Sequence, residues 1–99
     1  MALQGSLSEK TRNKVKEPKM YQVVMLNDDF TTMEFVVEIL VEIFHKDPVS
    51  AEKLMMLVHK SGRAVIGVYS YDIAVTKTNE AMERAKREGF PFRMHVVEA

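Results

Sequence analysis

The order of apolar patterns along this chain predicts an α+β domain, β-α-α-β-α-β, with three helices packed on a three-stranded, mainly antiparallel sheet. Two observations predict it. Short β-rich runs occur at 21–26, 64–69 and 92–97, and between them lie three segments whose apolar residues recur every three or four positions. The length adds a third: 99 residues, 46% of them hydrophobic, supply one modest core and leave no room for a second.

Residues 1–19 fit none of these patterns. They hold five basic side chains (Lys10, Arg12, Lys14, Lys16, Lys19) against two acidic ones (Glu9, Glu17), with Leu3, Leu7 and Val15 as the sizeable apolar residues. That is too little apolar surface to offset ordering entropy, so the segment reads as a flexible N-terminal arm of net charge +3 ahead of a folded domain, 20–99.

The first strand, 21–26, reads as buried and ends at a turn crowded with side-chain acceptors, Asn27-Asp28-Asp29. A helix follows at once. Thr31 as N-cap places Glu34 at the third helical position, the spacing of a capping box, and Phe30 and Phe35 match a hydrophobic staple. Each device is worth on the order of 1 kcal/mol and together they set the angle at which the turn meets the helix. Val36, Ile39, Leu40, Ile43 and Phe44 then share one face, with Glu34, Glu38 and Glu42 on another.

Asp47-Pro48 restarts the chain as a second helix, an acidic N-cap followed by proline where its missing N–H costs nothing. Ala51, Leu54, Met55 and Val58 repeat the apolar stripe over 48–60, and Ser61-Gly62 closes it. In the second strand, 64–69, Gly67 marks a point of close backbone approach. Ser70 can cap a third helix with a small inner face of Ala74, Thr78, Ala81, Met82 and Ala85, ended by Gly89 and Pro91. Phe92, Met94 and Val96 alternate with Arg93, His95 and Val97 on the last strand.

Composition narrows the function. Lys plus Arg and Asp plus Glu are each 14, so no global field exists to recruit nucleic acid or an anionic membrane. There are no cysteines, which excludes disulfides and thiolate metal sites and fits a reducing compartment. No run approaches a membrane span. The expectation is a soluble, cytoplasmic monomer whose affinity comes from a local site.

The acidic turn is the candidate for that site. Converging acceptors beside apolar residues suit a ligand that is cationic at one end and apolar at the other, such as a free α-amino group, which carries three donors when protonated. His59, four residues after Met55, falls on the rim of the second helix's apolar stripe and can face Asn27 and Asp28 if the helices pack accordingly. The bland alternatives are a solvated turn, a histidine bonded to helix-end carbonyls, and methionines that merely fill a core. Asp29 stays open between a secondary part in that site and merely orienting the loop through backbone bonds. A metal centre of Asp28, Asp29 and His59 lacks a second histidine at ligand spacing. A docking module using Glu34, Glu38 and Glu42 is a further rival.

Leu26-Asn27-Asp28-Asp29-Phe30-Thr31 with Met33-Glu34-Phe35-Val36, followed by Leu54-Met55, Val58-His59, Gly62, Gly67-Val68-Tyr69 and Thr76-Lys77, closely resembles the ClpS family of bacterial N-end-rule adaptors, over roughly residues 18–99. The resemblance implies a fold like the C-terminal domain of the ribosomal stalk protein. It implies an adaptor, not an enzyme, with no cofactor and no metal, that recognises bulky hydrophobic N-terminal residues (Leu, Phe, Tyr, Trp) of N-degron substrates and delivers them to a ClpA- or ClpC-type AAA+ unfoldase.

By the same resemblance Asn27, Asp28 and His59 hold the substrate's α-amino group. Thr31, Met33, Val36, Met55, Val58 and Phe92 form the side-chain pocket, with Met33 as a gate against β-branched residues. Asp72 and Lys77 at the start of the third helix contact the unfoldase, and the N-terminal arm serves in hand-over. Two residues depart from the family pattern: Thr32 stands for proline, which costs the turn some rigidity, and Phe92 stands for leucine, which reshapes the pocket.

Overall fold

The computed structural model describes residues 19–99. The elements are β1 (Met20–Leu26), α1 (Met33–Glu42), α2 (Pro48–Ser61), β2 (Arg63–Ser70), α3 (Tyr71–Arg87) and β3 (Arg93–Glu98), in the predicted order. Of the predicted arm, 1–19, all but Lys19 lies outside the described residues; the Lys19 ammonium is 3.4 Å from the Glu98 carboxylate.

The sheet runs β2-β1-β3 and both pairings are antiparallel. β1 is the central strand, which accounts for its run of fully buried residues, Val23, Val24 and Met25. Leu26, its last residue, pairs with Arg63 at the start of β2 and with Arg93 at the start of β3. One end of the sheet therefore gathers the end of one strand and the beginnings of two.

The core fills the space between this sheet and the helices. Ile39 and Leu40 of α1 are fully buried, as are Ala51 of α2 and Ala74, Ala81 and Ala85 of α3. Small residues on α3 let its backbone sit close to the sheet, as the inner-face pattern predicts, although Met82 is only half-buried. Phe35 packs its ring against Phe90 and Phe92, with centroids 4.9 and 5.8 Å apart.

Several local expectations are corrected. The N-cap of α1 is Thr32, whose hydroxyl accepts from the Phe35 N–H at 3.1 Å, so the helix begins one residue later than Thr31 would set it. Glu34 is then the second helical position and no capping box forms, though its charge still suits the helix N-terminus. The staple fails with it: Phe30 is 77% exposed. The departure at Thr32 consequently does more than loosen a turn, since this threonine supplies the cap itself.

Ser70 occupies the N-cap position of α3 without a side-chain cap bond. At Gly67 the close neighbour is a side chain and not backbone: a Cβ there would lie 2.6 Å from the Tyr69 hydroxyl oxygen. Phe92 sits immediately before β3 and not on it.

Where α1 ends, its last turn widens, with the Phe44 N–H reaching the Ile39 carbonyl and the Lys46 N–H reaching Leu40 across His45 at φ 55°. The terminal Ile43 carbonyl accepts from the Lys77 ammonium of α3 at 2.7 Å. The same ammonium lies 5.9 Å from the Phe44 ring and 5.8 Å from the Tyr69 ring. Lys77 thus joins α3 to the end of α1.

Candidate functional site

Gly62 decides where the site forms. It closes α2 in the left-handed region at φ 86°, with its N–H on the Val58 carbonyl at 2.9 Å, and turns the chain directly into β2. Because β2 runs beside β1, the Gly62 carbonyl meets the chain just beyond Leu26, and the Asn27 N–H donates to it at 2.9 Å. The last turn of α2, which carries His59, is thereby held next to the acidic turn.

The turn itself is organised by Asp28. Its Oδ1 accepts from the Phe30 N–H at 2.8 Å and the Thr31 N–H at 2.7 Å, while Oδ2 accepts from the Thr31 hydroxyl at 2.7 Å. Desolvation pushes this carboxyl's pKa up, but the Thr31 hydroxyl and the two backbone donors outweigh it and leave the pKa below its ordinary value. Asp28 is therefore held as a carboxylate, with about three of its four acceptor sites filled.

Asp29 differs from the loop-orienting reading. The bonds that shape the turn belong to Asp28, and among the described residues the Asp29 carboxylate accepts none.

These elements enclose a cavity of about 200 Å³. Asn27, Asp28 and Asp29 border it from the turn, Met55, Val58 and His59 from α2, and Met33 and Val36 from α1, with Thr31 and Phe92 completing the wall. The structure thus brings together every residue that the sequence marks for the amine contact and the side-chain pocket. Leu26, the last residue of β1, also lines the cavity, a place that sequence reasoning misses. Its place at the head of the acidic motif was the available signal.

The volume is below the roughly 300 Å³ at which sites for drug-sized ligands begin, and suits a single side chain. The more exposed part of the lining carries carboxylates, an amide, an imidazole and the Met33 thioether; the buried part carries valines and a phenyl ring, with Met55 half-buried beside them. Asp72 and Lys77 lie on α3, outside this cavity. Among the described residues no three His, Asp or Glu side chains gather as a metal site. Glu42, one of the row on α1, is engaged by Arg84 of α3 at 2.6 Å, which weakens that row as a free docking face.

The ClpS family model, "ATP-dependent Clp protease adaptor protein ClpS", matches residues 16–95. The chain belongs to the ClpS family. ClpS relatives described as ATP-dependent Clp protease adapter proteins include one from Clostridium acetobutylicum, 47% identical over 99% of this chain and 99% of its own length. Another, from Variovorax paradoxus, is 51% identical over 86% of this chain and 71% of its own. Among solved structures, that of Agrobacterium tumefaciens ClpS2 bound to L-phenylalaninamide shares the fold, with a TM-score of 0.80 and 39% identity over 83% of this chain and 99% of that one.

Proposed function

We propose that this ClpS-family protein captures proteins whose first residue is Leu, Phe, Tyr or Trp and delivers them to a Clp AAA+ unfoldase, acting as an adaptor and not as an enzyme. The observation that carries this reading is one small cavity with an acceptor-rich rim and an apolar interior. An N-terminal residue is the group that matches both parts. Its α-ammonium presents three donors, whereas an internal residue offers a single amide N–H at that place.

Asn27, the open acceptor site of Asp28 and a neutral His59 nitrogen hold the ammonium. The unengaged Asp29 carboxylate joins them. The side chain enters between Met33, Val36, Met55, Val58 and Phe92, where burial contributes roughly 1.5–3 kcal/mol. Methionine on both helices lets the lining adapt to leucine or to an aromatic ring. Met33 at the mouth excludes valine and isoleucine by contact with their branched Cβ. The related ClpS2 solved with L-phenylalaninamide supports the assignment, since that ligand carries both a free amine and a bulky side chain.

The partner is a ClpA- or ClpC-type unfoldase, met by the start of α3 around Asp72 and Lys77 and, in hand-over, by the arm ahead of β1. We place the protein in the cytoplasm as a monomer; among the described residues no helix is long and apolar enough to cross a membrane. Peptides identical except for their first residue test the reading. Binding of those starting with Leu, Phe, Tyr and Trp, without binding of those starting with Val, Ile or Lys, is expected; equal affinity across the set contradicts it.

A further inference from the structure

Three methionines among the described residues are exposed, and one of them lines the cavity. Met33 is 44% exposed at the start of α1; Met20 and Met56 are similarly exposed but lie elsewhere. Met55 lines the cavity but is half-buried, while Met25 and Met94 are closed to solvent at 0% and 4%. A small oxidant therefore reaches the Met33 thioether at the mouth of the pocket before it reaches the sulfurs of the core.

We propose that Met33 is a modification site, at which peroxide converts the thioether to the sulfoxide and closes the pocket to apolar side chains. The sulfur lone pair attacks one peroxide oxygen, the O–O bond breaks, an S–O bond forms, and the departing hydroxide takes the proton of the transferred oxygen and leaves as water. Sulfur loses two electrons and the peroxide gains them. The product replaces a flexible apolar lining group with a polar, chiral one and is reversible by methionine sulfoxide reductases.

The effect on binding rests on the side-chain pocket assigned under Proposed function. A sulfoxide oxygen at the mouth is hydrated when the pocket is empty and loses that water when an apolar side chain covers it. No free donor of the side-chain pocket stands ready to replace the water: Val36, Met55, Val58 and Phe92 carry none on their side chains, and the Thr31 hydroxyl already donates to Asp28. Covering an unpaired polar group weakens binding on the order of tenfold. The rim that receives the amine is untouched, because the Asp28 and Asn27 bonds that shape it do not involve Met33.

The test is hydrogen peroxide treatment of the full chain, with two readouts. Peptide mass mapping measures oxidation at each methionine, and titration with a Phe-starting peptide measures affinity before and after. Met33 is expected to oxidise ahead of Met25, Met55 and Met94, with affinity falling about tenfold and returning after reductase treatment. The ratio of treated to untreated affinity stays near one in Met33→Leu, and the Met20→Leu/Met56→Leu double variant keeps the full loss. Slow oxidation of Met33, or full oxidation with unchanged affinity, overturns the proposal. Untreated protein that binds no peptide instead defeats the functional reading, while the mass map still decides whether Met33 is the reactive site.

Discussion

The Asn27 N–H donates to the Gly62 carbonyl at 2.9 Å, tying the acidic turn after β1 to the residue that closes α2. Asn27 and His59 are 32 positions apart in sequence and share one cavity because of this bond and of the strand pairing beside it. Gly62 provides both parts of the junction, the left-handed backbone and the accepting carbonyl.

Gly62→Ala is accordingly expected to destabilise the fold by about 1–2 kcal/mol, the cost of placing an L-residue at positive φ. A Cβ there meets nothing within 4 Å, so the cost is conformational and not steric. Urea unfolding measures it. A midpoint equal to that of the parent protein would show that the junction tolerates a side chain.

Thr32→Ala removes the cap on the Phe35 N–H and should cost about 1 kcal/mol. Glu34→Ala should cost less, no more than about 0.5 kcal/mol, because Glu34 has no capping-box partner and only its charge at the helix N-terminus is lost. Thermal melts of the two variants order them. A larger loss in Glu34→Ala than in Thr32→Ala would restore the capping box to the account.

The displaced cap shows where the sequence was legible and where it was not. Asp47-Pro48 and Gly62 act through their own backbone preferences, so their positions in α2 follow from local sequence. Thr31 and Thr32 are equivalent as local caps. Asp28 separates them, by engaging both the N–H and the hydroxyl of Thr31 and leaving Thr32 to cap the helix. Lys77 is similar: that its ammonium turns inward to Ile43 depends on how α3 crosses the end of α1, which no pattern along the chain reveals. The site residues were legible through motif resemblance. Their convergence required the sheet register.

Asp28 makes stability depend on pH in a definite direction. Its folded pKa lies below the ordinary 3.8, so its contribution is present in full above that value and is lost as pH falls through the folded pKa. Carboxyl NMR titration should place Asp28 below the ordinary value, and Thr31→Val should move it upward by removing the hydroxyl donor. An unchanged titration in Thr31→Val would mean that the hydroxyl bond does not hold the carboxylate in solution.

Lys77→Ala should lower stability by about 1–2 kcal/mol, since it removes a charged donor to the Ile43 carbonyl and a cation held near two rings. Asp72→Ala, in the exposed first turn of α3, should change stability by less than about 0.5 kcal/mol while weakening unfoldase binding. Denaturation curves beside unfoldase titrations separate the two. Wild-type stability in Lys77→Ala would show that the bond to the Ile43 carbonyl holds little in solution.

The central claim is that the acceptor-rich rim reads a free α-ammonium. Calorimetric titration of one Phe-starting peptide in free and N-acetylated form tests it most directly, because acetylation removes the charge and two donors and leaves the side chain intact. Binding of the free peptide that is abolished by acetylation is the predicted result; equal affinity for the two forms would contradict it.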